Sequence, residues 1–226
     1  MRKAIIIVPS KAELSRRAEK DLLESAATIL DRTIIVRTPE CVGEAVVIAG
    51  TIITSLFLVG NHTMVNIITA GCGSMQAAVG DRDEENYVAK LVPASLDPAE
   101  SRAVVNGTGN GMAPARHPRI LTGPVGSIGD PLFMTKARKR TPTIIVSGMS
   151  YRMHVCERRE FEPGMWRIDR DFSRGKAGSG VWTIDGNFVG VALAHKAPFE
   201  NNRGSLARER LFVLPAQAVM DFAETK

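Results

Sequence analysis

A chain of 226 residues with formal charge +5, 44% hydrophobic and 23% charged, falls in the range of one globular domain or two small ones, which excludes intrinsic disorder. The longest apolar runs, from Ala4 to Pro9 or Ser55 to Gly60, stop well short of the roughly 18–20 residues that a membrane-spanning helix needs, so no span is expected. The apolar stretch after Met1 is too short for a signal peptide and has no small-residue cleavage site, so a cytoplasmic location is expected.

Residues 11–30 place Leu14, Ala18, Leu22, Leu23, Ala26, Ile29 and Leu30 on one side at helical spacing with charges opposite, which predicts an amphipathic helix. From Thr33 the texture changes to short β-branched runs, TIIVR, EAVVIAG, TIITS, LFLVG, MVNIITA, MQAAVG and YVAKLV, ended by Gly, Pro, Asp or Asn. These predict strands. Between Pro93 and Pro118 the chain is rich in Ala, Gly, Asn and Pro and lacks periodicity, which predicts a linker with at most a strand at Ala103–Asn106. A second β-series follows in RILTG, TPTIIVSGM, YRMHVCE, MWRID, GVWTI, NFVGVALAH and RLFVLP. Asp185-Gly186 marks a tight hairpin, because Gly takes positive φ without steric cost. Pro215–Glu224 predicts a closing helix. The organisation expected is an N-terminal helical arm over 1–32, a first β-barrel over 33–100, a linker over 101–118 and a second β-barrel with its helix over 119–226.

Cys41, Cys72 and Cys156 are too widely spaced for a zinc site, and His62, His117, His154 and His195 are equally scattered, so no metal and no other cofactor is expected. Lys136–Arg140 (KARKR) alone concentrates the basic excess. It predicts a solvated hairpin or loop, with weak RNA contact as the functional alternative.

The segment Asp171–Val191, DFSRGKAGSGVWTIDGNFVGV, resembles the nucleophile region of chymotrypsin-fold proteases. Gly175, Gly178, Ser179, Val181, the Asp185-Gly186 turn and Val189-Gly190-Val191 stand at that family's spacing. The resemblance implies an all-β fold of two six-stranded antiparallel β-barrels, with an oxyanion hole made by the amides of Gly175 and Ala177. It also exposes a departure: residue 177, where the nucleophilic Ser or Cys belongs, is Ala, and a methyl group cannot attack a carbonyl. An engineered exchange to Ala explains this first and a natural pseudoprotease second. Ser179 as nucleophile would break the spacing to the hairpin.

Upstream, Gly50–His62 (GTIITSLFLVGNH) resembles the part of the same fold that carries the catalytic histidine, which makes His62 the expected general base. The carboxylate that orients it stands, in this family, directly before a strand, a place that Asn86 or Tyr87 occupies here. Nearby acids are Asp81, Asp83, Glu84 and Glu85. Glu85 is the first choice, by likeness to viral proteases of the picornavirus 3C type, and Asp83 the second. Asp171 falls where trypsin-like enzymes hold the pocket acid that reads Arg or Lys, although Arg170 or Arg174 could neutralise it. Ala192 stands where 3C-type enzymes carry the histidine that reads Gln, and His195 is close enough to reach the pocket rim. The resemblance implies a viral endopeptidase in the host cytoplasm, its partner the polyprotein of which it is part. A peptide-binding or RNA-binding module on the same fold is the alternative.

Overall fold

The computed structural model describes residues 6–7, 25–26, 29–69, 73–94, 132–138, 141–147, 150–152, 166–171, 177–183, 185–195 and 210–225. Strand β1 is Ile6–Ile7, and β2 (Thr33–Arg37), β3 (Val42–Ile48) and β4 (Thr51–Ser55) follow. Helix α1 (Leu56–Val59) leads to β5 (Met64–Thr69), β6 (Gly73–Asp83) and β7 (Val88–Pro93). The second series is β8 (Leu132–Arg138), β9 (Thr141–Ser147), β10 (Ser150–Arg152), β11 (Trp166–Asp171), β12 (Gly180–Trp182), β13 (Phe188–His195) and β14 (Arg210–Pro215), before α2 (Ala216–Glu224).

Strands β2 to β7 close a six-stranded barrel in the order β2-β3-β4-β7-β6-β5, with the seam between β2 and β5 at Ile35↔Ile68 and Val36↔Ile67. All its pairings are antiparallel, as expected for the first unit. The second unit differs from the expected six-stranded barrel. It is an eight-stranded sheet, β1-β9-β8-β12-β13-β14-β11-β10, that does not close. At one edge β1 pairs parallel with β9 (Ile6↔Ile144, Ile7↔Ile145), so an added strand, and not β10, lies beside β9 there. Neither β1 nor β8 is anticipated in the sequence reading. Lys136, Ala137 and Arg138 of the basic run belong to β8, which pairs antiparallel with β9.

The near-continuous apolar run of β3 reflects burial on both faces. Ala45 and Val47 pack in one cluster with Ile34, Val36, Ile52, Val65, Ile67 and Leu91, while Val46 and Ile48 join Ile53, Phe133, Trp182, Phe188 and Phe212 in the other. Strand period thus lets β3 face the barrel interior on one side and, with Ile53 of β4, the second sheet on the other. The β3–β4 turn runs through Ala49 and Gly50, both at positive φ (49° and 77°), the twist that two-residue hairpins require. Leu56–Val59, expected as strand, is helical. Ser55 caps it by accepting from the Phe57 amide at 3.2 Å, and Gly60, at φ 49°, returns its amide to the Leu56 carbonyl at 2.8 Å. Of the expected helix over 11–30, Ser25–Ala26 and Ile29–Leu30 are helical, and the rest lies outside the described residues, as does the linker over 101–118. The closing helix and the Asp185-Gly186 turn are observed, the latter with Gly186 at φ 76° and its amide on the Thr183 carbonyl. Lys90 ties α2 to the barrel, donating to the Thr225 carbonyl at 2.6 Å and lying 5.0 Å from the Phe222 ring centroid.

Candidate active site

The loop carrying residue 177 is clamped between the two β-units. From β3 of the barrel, the Glu44 amide donates to the Ala177 carbonyl at 3.0 Å. From β13 of the second sheet, Ala192 accepts from the Gly178 amide at 2.9 Å and donates to the Ser179 carbonyl at 2.8 Å. Gly178 adopts φ 83°, and a Cβ there would stand 1.9 Å from the Glu44 carbonyl oxygen, so only glycine lets the loop come this close to β3. Gly175, the other expected oxyanion donor, lies outside the described residues.

Beneath the loop sits a carboxyl group that the sequence reading misses. Glu44 is fully buried, and its Oε2 accepts from the Ser179 hydroxyl and the Thr135 hydroxyl, each at 2.5 Å. The Ser179 hydroxyl also faces the Thr135 carbonyl at 3.2 Å. This corrects the alternative that Ser179 is a nucleophile: its side chain has no exposure and is engaged by a buried carboxyl. The signal for Glu44 is visible in retrospect as the one charge inside the apolar run VGEAVVI.

His62 follows α1 and Gly60, its amide donating to the Val59 carbonyl at 3.0 Å. Its carboxylate partner is Glu40, with Nε2 and Oε2 2.7 Å apart, and not Glu85 or Asp83. Asp83 is occupied by its own turn, accepting from the amides of Glu85 and Asn86 and from the Asn86 side chain at 2.7 Å. Glu85 is exposed in the same turn. Arg82 donates to the Gly60 and His62 carbonyls and so fixes this corner from β6. Glu40 carries no sequence signal, because it reaches His62 from the β2–β3 connection, brought alongside by the pairing of β2 with β5.

The hydrogen bond from His62 holds the Glu40 carboxyl below its usual range. Replacing His62 by Ala is expected to raise it toward that range, read by NMR titration of the Glu40 side chain. The sign follows from a depressed acid: the pair persists above the carboxyl's lowered pKa and is lost as pH falls through it. An unchanged titration would show that the two side chains do not pair in solution.

Directly before β7 stands Tyr87 at φ 56°. Its carbonyl accepts from the Leu56 amide at 2.8 Å, and its ring stacks on Phe57 with centroids 5.0 Å apart and planes 15° apart.

Of the expected specificity residues, Asp171 ends β11 opposite Arg210 of β14, and Arg210 in turn stands opposite His195 of β13. The three positions are abreast on neighbouring strands, with an arginine between the acid and the histidine. Ala192 is fully buried in β13. Among the described residues no group of three or more His, Cys, Asp or Glu side chains could hold a metal ion, and no helix is long and apolar enough to cross a membrane.

No protein-family model and no curated protein matches this sequence. Solved structures do match. The MamO protease domain from Magnetospirillum magneticum, in its apo form, aligns with a TM-score of 0.62 at 16% identity over 88% of this chain and 98% of its own. The inactive Ser→Ala mutant of Rv3671c from M. tuberculosis gives a TM-score of 0.59 at 17% identity over 95% and 94%. A human pathogenic astrovirus serine protease gives a TM-score of 0.51 at 14% identity over 81% and 89%. At these identities the likeness is one of fold, and the chain has the chymotrypsin-like fold of these serine protease domains.

Proposed function

We propose that this chain is a serine-protease-type domain that engages polypeptide where its two β-units meet and, with alanine at position 177, does not hydrolyse it. The observation that carries the reading is Ala177 itself. It is held in the clamped loop by β3 and bears only a methyl group, 3% exposed, where acyl transfer needs an attacking atom. A viral polyprotein as the polypeptide is the narrower form of the proposal. It rests on the sequence resemblance, with the astrovirus protease as one neighbour among bacterial ones.

A second reading is favoured by the His62–Glu40 hydrogen bond, since an imidazole oriented by a carboxylate is the form a general base takes. Here the chain is an endopeptidase lacking only its nucleophile. One experiment separates them. The unaltered protein and the Ala177→Ser and Ala177→Cys variants are incubated with a mixed peptide library, with retention and cleavage both followed by mass spectrometry. Retention without cleavage by the unaltered protein is expected, and failure to retain any peptide overturns the proposal. Cleavage by A177S that disappears in A177S/H62A establishes the second reading.

A further inference from the structure

We infer that Phe57 and Tyr87 occupy the places of the general base and its orienting carboxylate, so that with Ala177 every catalytic position of the fold carries a side chain unfit to relay a proton near neutral pH. The inference rests on the protease-fold reading above and goes further, because it assigns the site's two other positions and removes His62 from it.

The geometry behind it is a chain of contacts. The orienting acid of this fold stands directly before a strand, which leaves Asn86 or Tyr87. Asn86 is turned into the Asp83 turn, donating to Asp83 at 2.7 Å, and Tyr87 is the residue that touches β7's start. A base and its orienting group must meet side chain to side chain. The side chain that meets Tyr87 is Phe57, stacked at 5.0 Å, and the backbone of α1 is pinned to the same residue by the bond from the Leu56 amide.

Helix α1 also approaches the loop of residue 177. At Gly43 an added Cβ would lie 2.6 Å from Leu58 Cδ2 and 2.9 Å from the Ala177 carbonyl oxygen, so α1 and Ala177 converge on one point of β3. Phe57 is the neighbour of Leu58, 39% exposed. His62 instead gives its ring to Glu40 of the β2–β3 connection. A phenyl ring has no proton to exchange, and a phenol with a pKa near 10 is no carboxylate substitute at neutral pH.

The test places a thiol at position 177 and lets it report which imidazole is its neighbour, through the ultraviolet absorbance of the thiolate as a function of pH, taken as a difference from the unaltered protein. An adjacent imidazolium holds a thiolate to lower pH. In A177C the thiol is expected to titrate as an ordinary one, and A177C/H62A to match it. In A177C/F57H the thiolate is expected to persist to a pH lower by about one to two units, and Y87D added to that pair to change the titration again. A depressed thiol titration in A177C that H62A restores would overturn the inference, and that comparison needs no change at Phe57. So would an A177C/F57H protein, folded by circular dichroism, whose thiol is unmoved. No peptide enters these titrations, so loss of peptide retention sinks the binding proposal without touching this one.

Discussion

Gly178→Ala is expected to lower stability by about 3–5 kcal/mol, which for a chain of this size is a fall of roughly 10 °C in Tm. Two effects add. A β-carbon in the left-handed region costs about 1–2 kcal/mol by itself. At φ 83° that carbon would also stand 1.9 Å from the Glu44 carbonyl oxygen and 2.5 Å from Thr54 Oγ1, neither of which can yield cheaply. The Glu44 carbonyl accepts from the Thr54 hydroxyl at 2.7 Å, so the loop must withdraw instead, and the bond from the Glu44 amide to Ala177 goes with it. Gly73 supplies the control: it has φ 78° with nothing within 4 Å of an added Cβ. Gly73→Ala is expected to cost only the conformational part, about 1–2 kcal/mol. Equal thermal shifts in the two variants would show that the contact with β3 does not constrain the loop.

Glu44→Ala is expected to cost a similar amount, about 3–5 kcal/mol, by urea unfolding. The change opens a cavity between the barrel and the second sheet and strands buried hydroxyl donors. Ser179 can turn fully to the Thr135 carbonyl, already 3.2 Å away, so the Thr135 hydroxyl bears the larger loss. Glu44→Gln keeps the shape and one acceptor, and about 1–3 kcal/mol is expected. Ser179→Ala removes one donor and leaves the carboxyl with Thr135, for about 1–2 kcal/mol. If Glu44→Ala proved no worse than Ser179→Ala, the carboxyl would not be the tie between the two β-units.

Local pattern carried most of the first unit. Strands β2, β3, β4, β5 and β7 coincide with apolar runs ended by turn residues, because a strand buried on one or both faces must show its burial within a few residues of sequence. Gly186 was legible for a local reason, the turn it makes with Asp185, whereas Gly178 and Gly190 were marked by the family resemblance; a Cβ at Gly190 would lie 2.0 Å from the Leu214 carbonyl oxygen. Helix α1 was not legible, since LFLV suits a strand as well as a helix, and a serine cap followed by glycine decided it.

The amino-acid order alone therefore settled two β-units, the loop of residue 177 with its methyl group, and the closing helix. Partners far apart in sequence were settled only by the folded chain. Glu40 and not Glu85 lies on His62, because β2 and β3 deliver their connection to that corner while Asp83 and its neighbours close a turn of their own. Glu44 meets Ser179 at a separation of 135 residues, and Phe57 meets Tyr87 where β4 and β7 pair at Ser55↔Val88. The place of β1 was likewise visible only in the folded chain, where it binds the edge of β9 with its backbone groups. Backbone groups are the same in every residue, so edge pairing leaves almost no mark in the sequence of the strand that is captured.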